Sequence, residues 1–138
     1  MNANVSQPGK VIFLCRYCGV EKEEKAFEVC KVLGSKVYRR KKCSECKSRR
    51  AADRRREVRR WLDLLKRTLV CSQCSFADHR ALEFHHPDHG TKGLNIGDMA
   101  KDGRSIAAIQ EEIKKCVVLC ANCHRIKHYT DPLSSLLF

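Results

Sequence analysis

Leu82-Glu83-Phe84-His85-His86-Pro87 and, further on, Cys120-Ala121-Asn122-Cys123-His124-Arg125-Ile126-Lys127-His128 decide how this chain is read. Residues 81–86 alternate apolar and polar, which predicts a strand. Adjacent strand residues point to opposite faces, so His85 and His86 look in different directions. A helix is expected to begin near Cys123 and to stop before Asp131-Pro132. On it His124 and His128 are four apart and share a face. An imidazole of ordinary pKa near ~6.5 suits metal binding or proton abstraction close to neutrality.

Two cysteine pairs frame this region. Cys71-x2-Cys74 precedes it and Cys120-x2-Cys123 ends it. Two residues between cysteines let both sulfurs of a tight turn reach one tetrahedral ion, which predicts a closed structural zinc site. Cys116 is a rival ligand at helical spacing from Cys120, although it leads into an apolar run and reads as packed. Cys15-x2-Cys18 and Cys43-x2-Cys46 make a second matched set. Disulfides or a redox pair do not explain two matched knuckles. Between them Val29, Val32, Val37 and Tyr38 surround Gly34-Ser35 and predict a hairpin. Cys30 is left over and reads as a small buried residue.

The 138 residues carry 10 Cys, 6 His and a net charge of +12. Units this small need staples beyond an apolar core. Residues 1–35 carry 5 basic and 4 acidic side chains, residues 36–67 carry 15 and 4, and residues 68–138 carry 8 and 8. The excess therefore lies between Lys36 and Arg67, and a polyanionic partner explains it better than a mixed solvated face. Two four-thiolate zinc sites would lower the effective total to about +8 and leave the polarity intact. No apolar run approaches the ~18 residues of a membrane span, and none forms an export signal. Transmembrane and exported readings are disfavoured, and a reducing intracellular setting, cytoplasmic or nucleoid-associated, is expected.

The organisation expected is a flexible arm (1–10), a zinc-binding module (11–47), a basic linker helix (48–69), a second zinc-stapled domain (70–131) and a tail (132–138). The linker helix has no Gly or Pro. Val58, Trp61, Leu62, Leu65 and Leu69 give its second half a buried stripe, with Trp61 as a core anchor. Its first half is polar nearly all round, and Arg49, Arg50, Arg54, Arg55, Arg56, Arg59 and Arg60 suit phosphate. Within the second domain, residues 88–104 read as a loop, and Ser105 caps a helix over 106–115 with Ile106, Ile109 and Ile113 inward. Residues 117–119 read as a strand. His79 reads as a surface residue and His89 as a loop histidine.

With both knuckles, the paired histidines and the C-H-R-x-K-H run on the page, residues 70–131 resemble the HNH endonuclease family. The likeness is to its zinc-knuckle branch, akin to phage recombination endonuclease VII. The first module and basic helix are similar to the DNA-binding extension of some phage-type members, so a phage-encoded chain is consistent with it. The resemblance implies a small α+β fold: a ββα-metal nuclease domain stapled by a four-cysteine zinc site, preceded by a four-cysteine zinc-ribbon-like module and a long basic helix. It implies His85 and His124 as ligands of a catalytic divalent ion, His128 as a further ligand in the colicin-nuclease variant, and His86 as general base. The family's central Asn would fall at Lys115, which leaves Asn95 and Asn122 as candidates to take its place. The imidazoles favour Zn, Ni, Co or Mn over Mg. Arg125 and Lys127 could hold the scissile phosphate or its neighbour.

The expected activity is metal-dependent hydrolysis of DNA, double-stranded or branched, with RNA not distinguished by backbone charge. Cutting both strands calls for a homodimer or two visits. The alternative reading is a non-catalytic, zinc-dependent nucleic-acid-binding regulator.

Overall fold

The computed structural model describes residues 11–87, 90 and 93–129. The expected arm (1–10), the tail (132–138) and His89 lie outside the described residues. By its internal contacts the chain divides into two units, Met1–Asp53 and Arg54–Phe138. Among the described residues there are four helices and three antiparallel strand pairs, a small α+β architecture. No helix among them is long and apolar enough to cross a membrane.

In the first unit β1 (Ile12–Leu14) pairs with β2 (Glu21–Glu23). This hairpin is absent from the sequence reading, because one strand is wholly apolar, the other wholly charged, and each is three residues long. The turn between them is the first knuckle. Cys15 N–H donates to the Val20 carbonyl at 3.0 Å, and Gly19 N–H donates to the Cys15 carbonyl at 2.9 Å. Gly19 sits at φ 68°, which glycine adopts without steric cost. The expected hairpin follows as β3 (Val29–Leu33) and β4 (Lys36–Arg39), turning at Gly34.

No second layer covers that hairpin among the described residues, so its strands are largely exposed. Cys30 is exposed too, correcting the expectation of a buried residue. It falls at the register shift between Val29 and Lys31, outside the regular pairing. The buried core of this unit is Cys15, Cys43 and Phe27, with Ala26 and Cys46 against them. One buried aromatic ring is little core for a fold of this size, and the four cysteines around it are placed to add an ion.

α1 (Ser44–Lys66) starts inside the second knuckle rather than at residue 48 and stops short of residue 69. The knuckle turn is itself the first helical turn, with Lys47 N–H donating to the Cys43 carbonyl. Val58 lies in the second unit's main cluster with Ile96, Met99, Ala100 and Ile109; Trp61, Leu62, Phe84, Ile106, Ile113 and Cys116 pack against it. Trp61 is thus a core anchor.

The expected loop over 88–104 contains a helix, α2 (Ile96–Asp102). Ile96, Met99 and Ala100 bury one face at i, i+3, i+4 spacing, and Gly103 ends the helix at φ 68°. α3 (Ile106–Ile113) starts as expected, with the Ser105 hydroxyl accepting from Ala108 N–H at 3.2 Å. It ends two residues early.

β5 (Leu82–His85) pairs antiparallel with β6 (Val117–Cys120), Leu82 opposite Cys120 and His85 opposite Val117. α4 (Ala121–His128) follows β6 without a linker and packs on both strands. It begins before Cys123, because Cys120 is already its N-cap, the thiol accepting from Cys123 N–H. A second cluster, Cys71, Leu82, Leu119 and Cys120, holds this strand pair to its knuckle.

Candidate metal centre

Both sets of four cysteines converge, and none of the ten cysteines is in a disulfide. Within each set the sulfurs lie within 4.8 Å of one another. Cys15 and Cys46 Sγ are 3.9 Å apart, and Cys74 and Cys120 Sγ 3.7 Å. Tetrahedral zinc with Zn–S of ~2.3 Å requires about 3.8 Å between sulfurs, so both sets are positioned to bind structural zinc. The backbone prepares them. The Cys43 N–H brings the Cys15 thiol down to about 6 against the opposing effect of burial. Burial pushes the Cys71 thiol up, and the N–H groups of Cys120, Gln73 and Cys74 outweigh it, leaving it at about 6. Burial, with sulfurs beside it, pushes Cys46 up to about 12. Neighbouring sulfurs, Cys120 first, do the same to Cys123. Four thiolates coexist only around a cation, so metal loading releases protons.

A third group lies where β5 meets α4. His128 Nε2 is 3.1 Å from His85 Nδ1 and 3.2 Å from His124 Nε2. The three rings cross at 68–89°, with centroids 4.8–5.1 Å apart. A ring nitrogen has either one proton or one in-plane lone pair. His128 Nε2 therefore cannot make a well-aligned hydrogen bond to both neighbours. Three lone pairs on one ion resolve the conflict. Metal–nitrogen bonds of ~2.1 Å place ligand nitrogens about 3.0–3.4 Å apart, depending on geometry, and the observed spacings fall in that interval. His85 comes from the end of β5, while His124 and His128 come from successive turns of α4.

Glu83 completes the group, a residue the sequence reading passed over. Its Oε2 lies 2.5 Å from His124 Nδ1. Two residues before His85, it shares that residue's face of β5. The carboxylate accepts from Nδ1–H and so leaves Nε2, on the side of His128, as the atom that could take an ion. Such supporting carboxylates typically contribute 10–100-fold in metal affinity. Glu83→Gln should therefore weaken binding at the histidine site by roughly tenfold or more. Competition titration of zinc-loaded protein with a chromophoric chelator would measure this.

The group opens onto a cleft of about 400 Å³ lined by Glu83, Ala121, His124, Arg125, His128 and Tyr129. The histidine group offers three ligand atoms, one fewer than each sulfur set, and two of its residues line this cleft.

His86 does not belong to this group. It is buried at 5% exposure, and its Nε2 lies 2.8 Å from Glu112 Oε1 on α3 and 3.4 Å from Cys116 Sγ. Glu112 also accepts from Gly93 N–H at 2.8 Å and from Lys115 Nζ at 2.9 Å. Led by Lys115, then the Gly93 N–H and His86, these donors pull its carboxyl down to about 2. Glu112 is thus a carboxylate at any physiological pH. As an acceptor it holds a proton on His86 Nε2. Polar partners for a histidine are scattered through a sequence, and nothing local marks residue 112 as one.

Because its folded pKa lies below the unfolded value near 4.5, Glu112 stabilises the fold fully above pH ~4.5. That contribution fades as pH falls toward about 2. Glu112→Gln should flatten the acid limb of a pH-resolved thermal melt. An unchanged limb would place the acid sensitivity elsewhere.

The two candidate asparagines lie apart from the imidazoles. Asn95 precedes α2 and donates to Asp98 Oδ2 at 3.1 Å, while Asn122 is exposed on the first turn of α4; neither lines the cleft. Lys115, at the family's Asn position, is engaged with Glu112. Arg125 lines the cleft and Lys127 is exposed. Arg49, Arg50, Arg54, Arg56, Arg59 and Arg60 are exposed on α1, and Arg55 is half-buried. His79 is half-buried against Asp63 rather than a free surface residue, and Cys116 is packed rather than a zinc ligand. Comparison with family models, curated proteins and solved structures finds no match.

Proposed function

We propose that the chain is a metal-dependent endonuclease of the HNH kind, hydrolysing phosphodiester bonds in DNA. One observation carries the reading: three imidazoles converge where a helix packs on an antiparallel strand pair, two of them lining a cleft, with a fourth, buried imidazole next in sequence to the first. A divalent ion held by His85, His124 and His128 would stabilise charge developing on the phosphate and the leaving oxygen. His86, buried against Glu112 through Nε2, is the proposed general base for the attacking water. Arg125 offers forked donors to a phosphate oxygen at the cleft. The cations of Lys36–Arg67 bind the backbone without reading sequence, which makes affinity fall steeply with salt. The two cysteine sets hold zinc and leave no position for chemistry.

Supercoiled plasmid tests this. Zinc-loaded protein with added Mg, Mn, Ni, Co or Zn is expected to convert it to nicked or linear DNA with at least one ion and not without. Binding that never leads to cleavage under any ion would establish the regulatory alternative instead.

A further inference from the structure

The first unit exposes three aromatic rings, of which Tyr17 and Tyr38 stand outside its core and Phe13 meets the buried Phe27 edge-on with centroids 5.8 Å apart. Tyr17 is 58% exposed, Tyr38 46% and Phe13 41%. Cations surround them; Arg39 also pairs with Glu24, and Arg40 and Lys47 with Glu28, while no such pair is seen for Arg16, Lys41 or Lys42 among the described residues. Tyr17 lines a cleft of about 460 Å³ with Cys30, Arg39, Arg40, Lys41, Lys42 and Lys47. Phe13 and Tyr38 line a second, of about 500 Å³, which shares Arg39, Arg40 and Lys41 and adds Arg16. Neither lining contains an acidic residue. The basic strip after β4 therefore runs between two ring-bearing hollows, and Arg16 N–H donates to the Lys41 carbonyl to tie its edge to the first knuckle.

Chemistry narrows the occupant. The cations call for a polyanion, and a duplex would satisfy them alone, because its bases are stacked inside and cannot reach a protein ring. Exposed rings beside cations add something only where the polyanion carries free flat faces. Lys42 Nζ sits 3.9 Å from the centroid of Tyr17, covering one face, and the ring's remaining exposure leaves room for a stacked base. Stacking on an aromatic side chain strengthens binding by about 1–3 kcal/mol per base and tolerates any sequence.

We infer that the first zinc unit binds single-stranded nucleic acid, bases stacking on Tyr17, Tyr38 and Phe13 and phosphates lying along Arg16 and Arg39–Lys42. This rests on the nucleic-acid part of the proposed function and extends it from a backbone grip to a preference for unpaired strand. The substrate class that follows is DNA with a single-stranded region, such as a branch, gap or displaced strand, beside the bond to be cut.

The test uses the full zinc-loaded chain without added divalent ion, followed by fluorescence anisotropy. The probes are a labelled mixed-sequence single strand and a duplex of equal phosphate number, with heparin as a competitor that has charge but no bases. The single strand is expected to bind about tenfold or more tightly than the duplex at the same salt. Tyr17→Ala and Tyr38→Ala should each weaken single-strand binding by about tenfold, leave duplex binding and zinc content unchanged, and be rescued by Tyr→Phe. Equal affinity for strand and duplex overturns the inference. So does heparin displacing the strand from wild-type and Tyr17→Ala protein equally well. Hydrolysis does not enter this assay, so plasmid that is never cut sinks the nuclease reading and leaves this one standing.

Discussion

Replacing His86 by glutamine is expected to abolish cleavage while the protein remains folded, zinc-loaded and able to bind DNA. Loss of a positioned general base typically costs 10²–10⁴-fold in rate. The choice of glutamine matters, because His86 is buried against Glu112 at 2.8 Å. An amide can still donate to that carboxylate but cannot carry a proton away from water. His86→Ala should be equally inactive and somewhat less stable. It need not unfold, since Glu112 keeps the Gly93 N–H and Lys115 as donors. A plasmid-nicking time course with both variants, read beside their melting curves, separates chemistry from folding. Glutamine protein that cuts at the wild-type rate would remove His86 from the mechanism.

Replacing Cys120 by serine should unfold the second unit. Cys120 is 5% exposed, ends β6, accepts from the first turn of α4 and lies among four converging sulfurs. Structural zinc contributes apparent binding energies of about 10–16 kcal/mol in small domains. That equals or exceeds the whole stability of a typical domain, about 5–15 kcal/mol. Native mass spectrometry should show bound zinc falling to the single ion of the first unit, and near-ultraviolet circular dichroism should lose most of the Trp61 signal. Cys30→Ser is the matched control: it removes an exposed thiol and should change neither readout. Full zinc content and an unshifted melt in Cys120→Ser would show that the sulfur set is not what holds this unit.

The sulfur sets were legible because ligand spacing is a local property, readable wherever two cysteines flank a turn. Ser105 and the Gly34-Ser35 turn were legible for the same reason, since a cap and a tight turn act over a few residues. The α4 pair was readable from its four-residue step. Glu83 and Glu112 were not, because each acts across the fold on a histidine from another segment. α2 was hidden by its Gly97 and by glycines on either side, although Ile96, Met99, Ala100 and the terminating Gly103 carried the signal. Cys30 misled because burial of cysteine is a habit of thick cores, and this hairpin has none behind it.

Alternation along β5 has a consequence for error. Glu83 and His85 turn toward α4, while Phe84 and the following His86 turn toward α3 and the main cluster. Sliding this strand by a single residue against its partner would exchange those faces, swapping the proposed ion ligand for the proposed base and driving a phenylalanine into water. Pairing Leu82 with a cysteine already committed to a tetrahedral cage forbids that slip. The same tether that keeps the molecule folded therefore also proofreads its chemistry, and misaligned chains should betray themselves as zinc-poor before they are found to be inert.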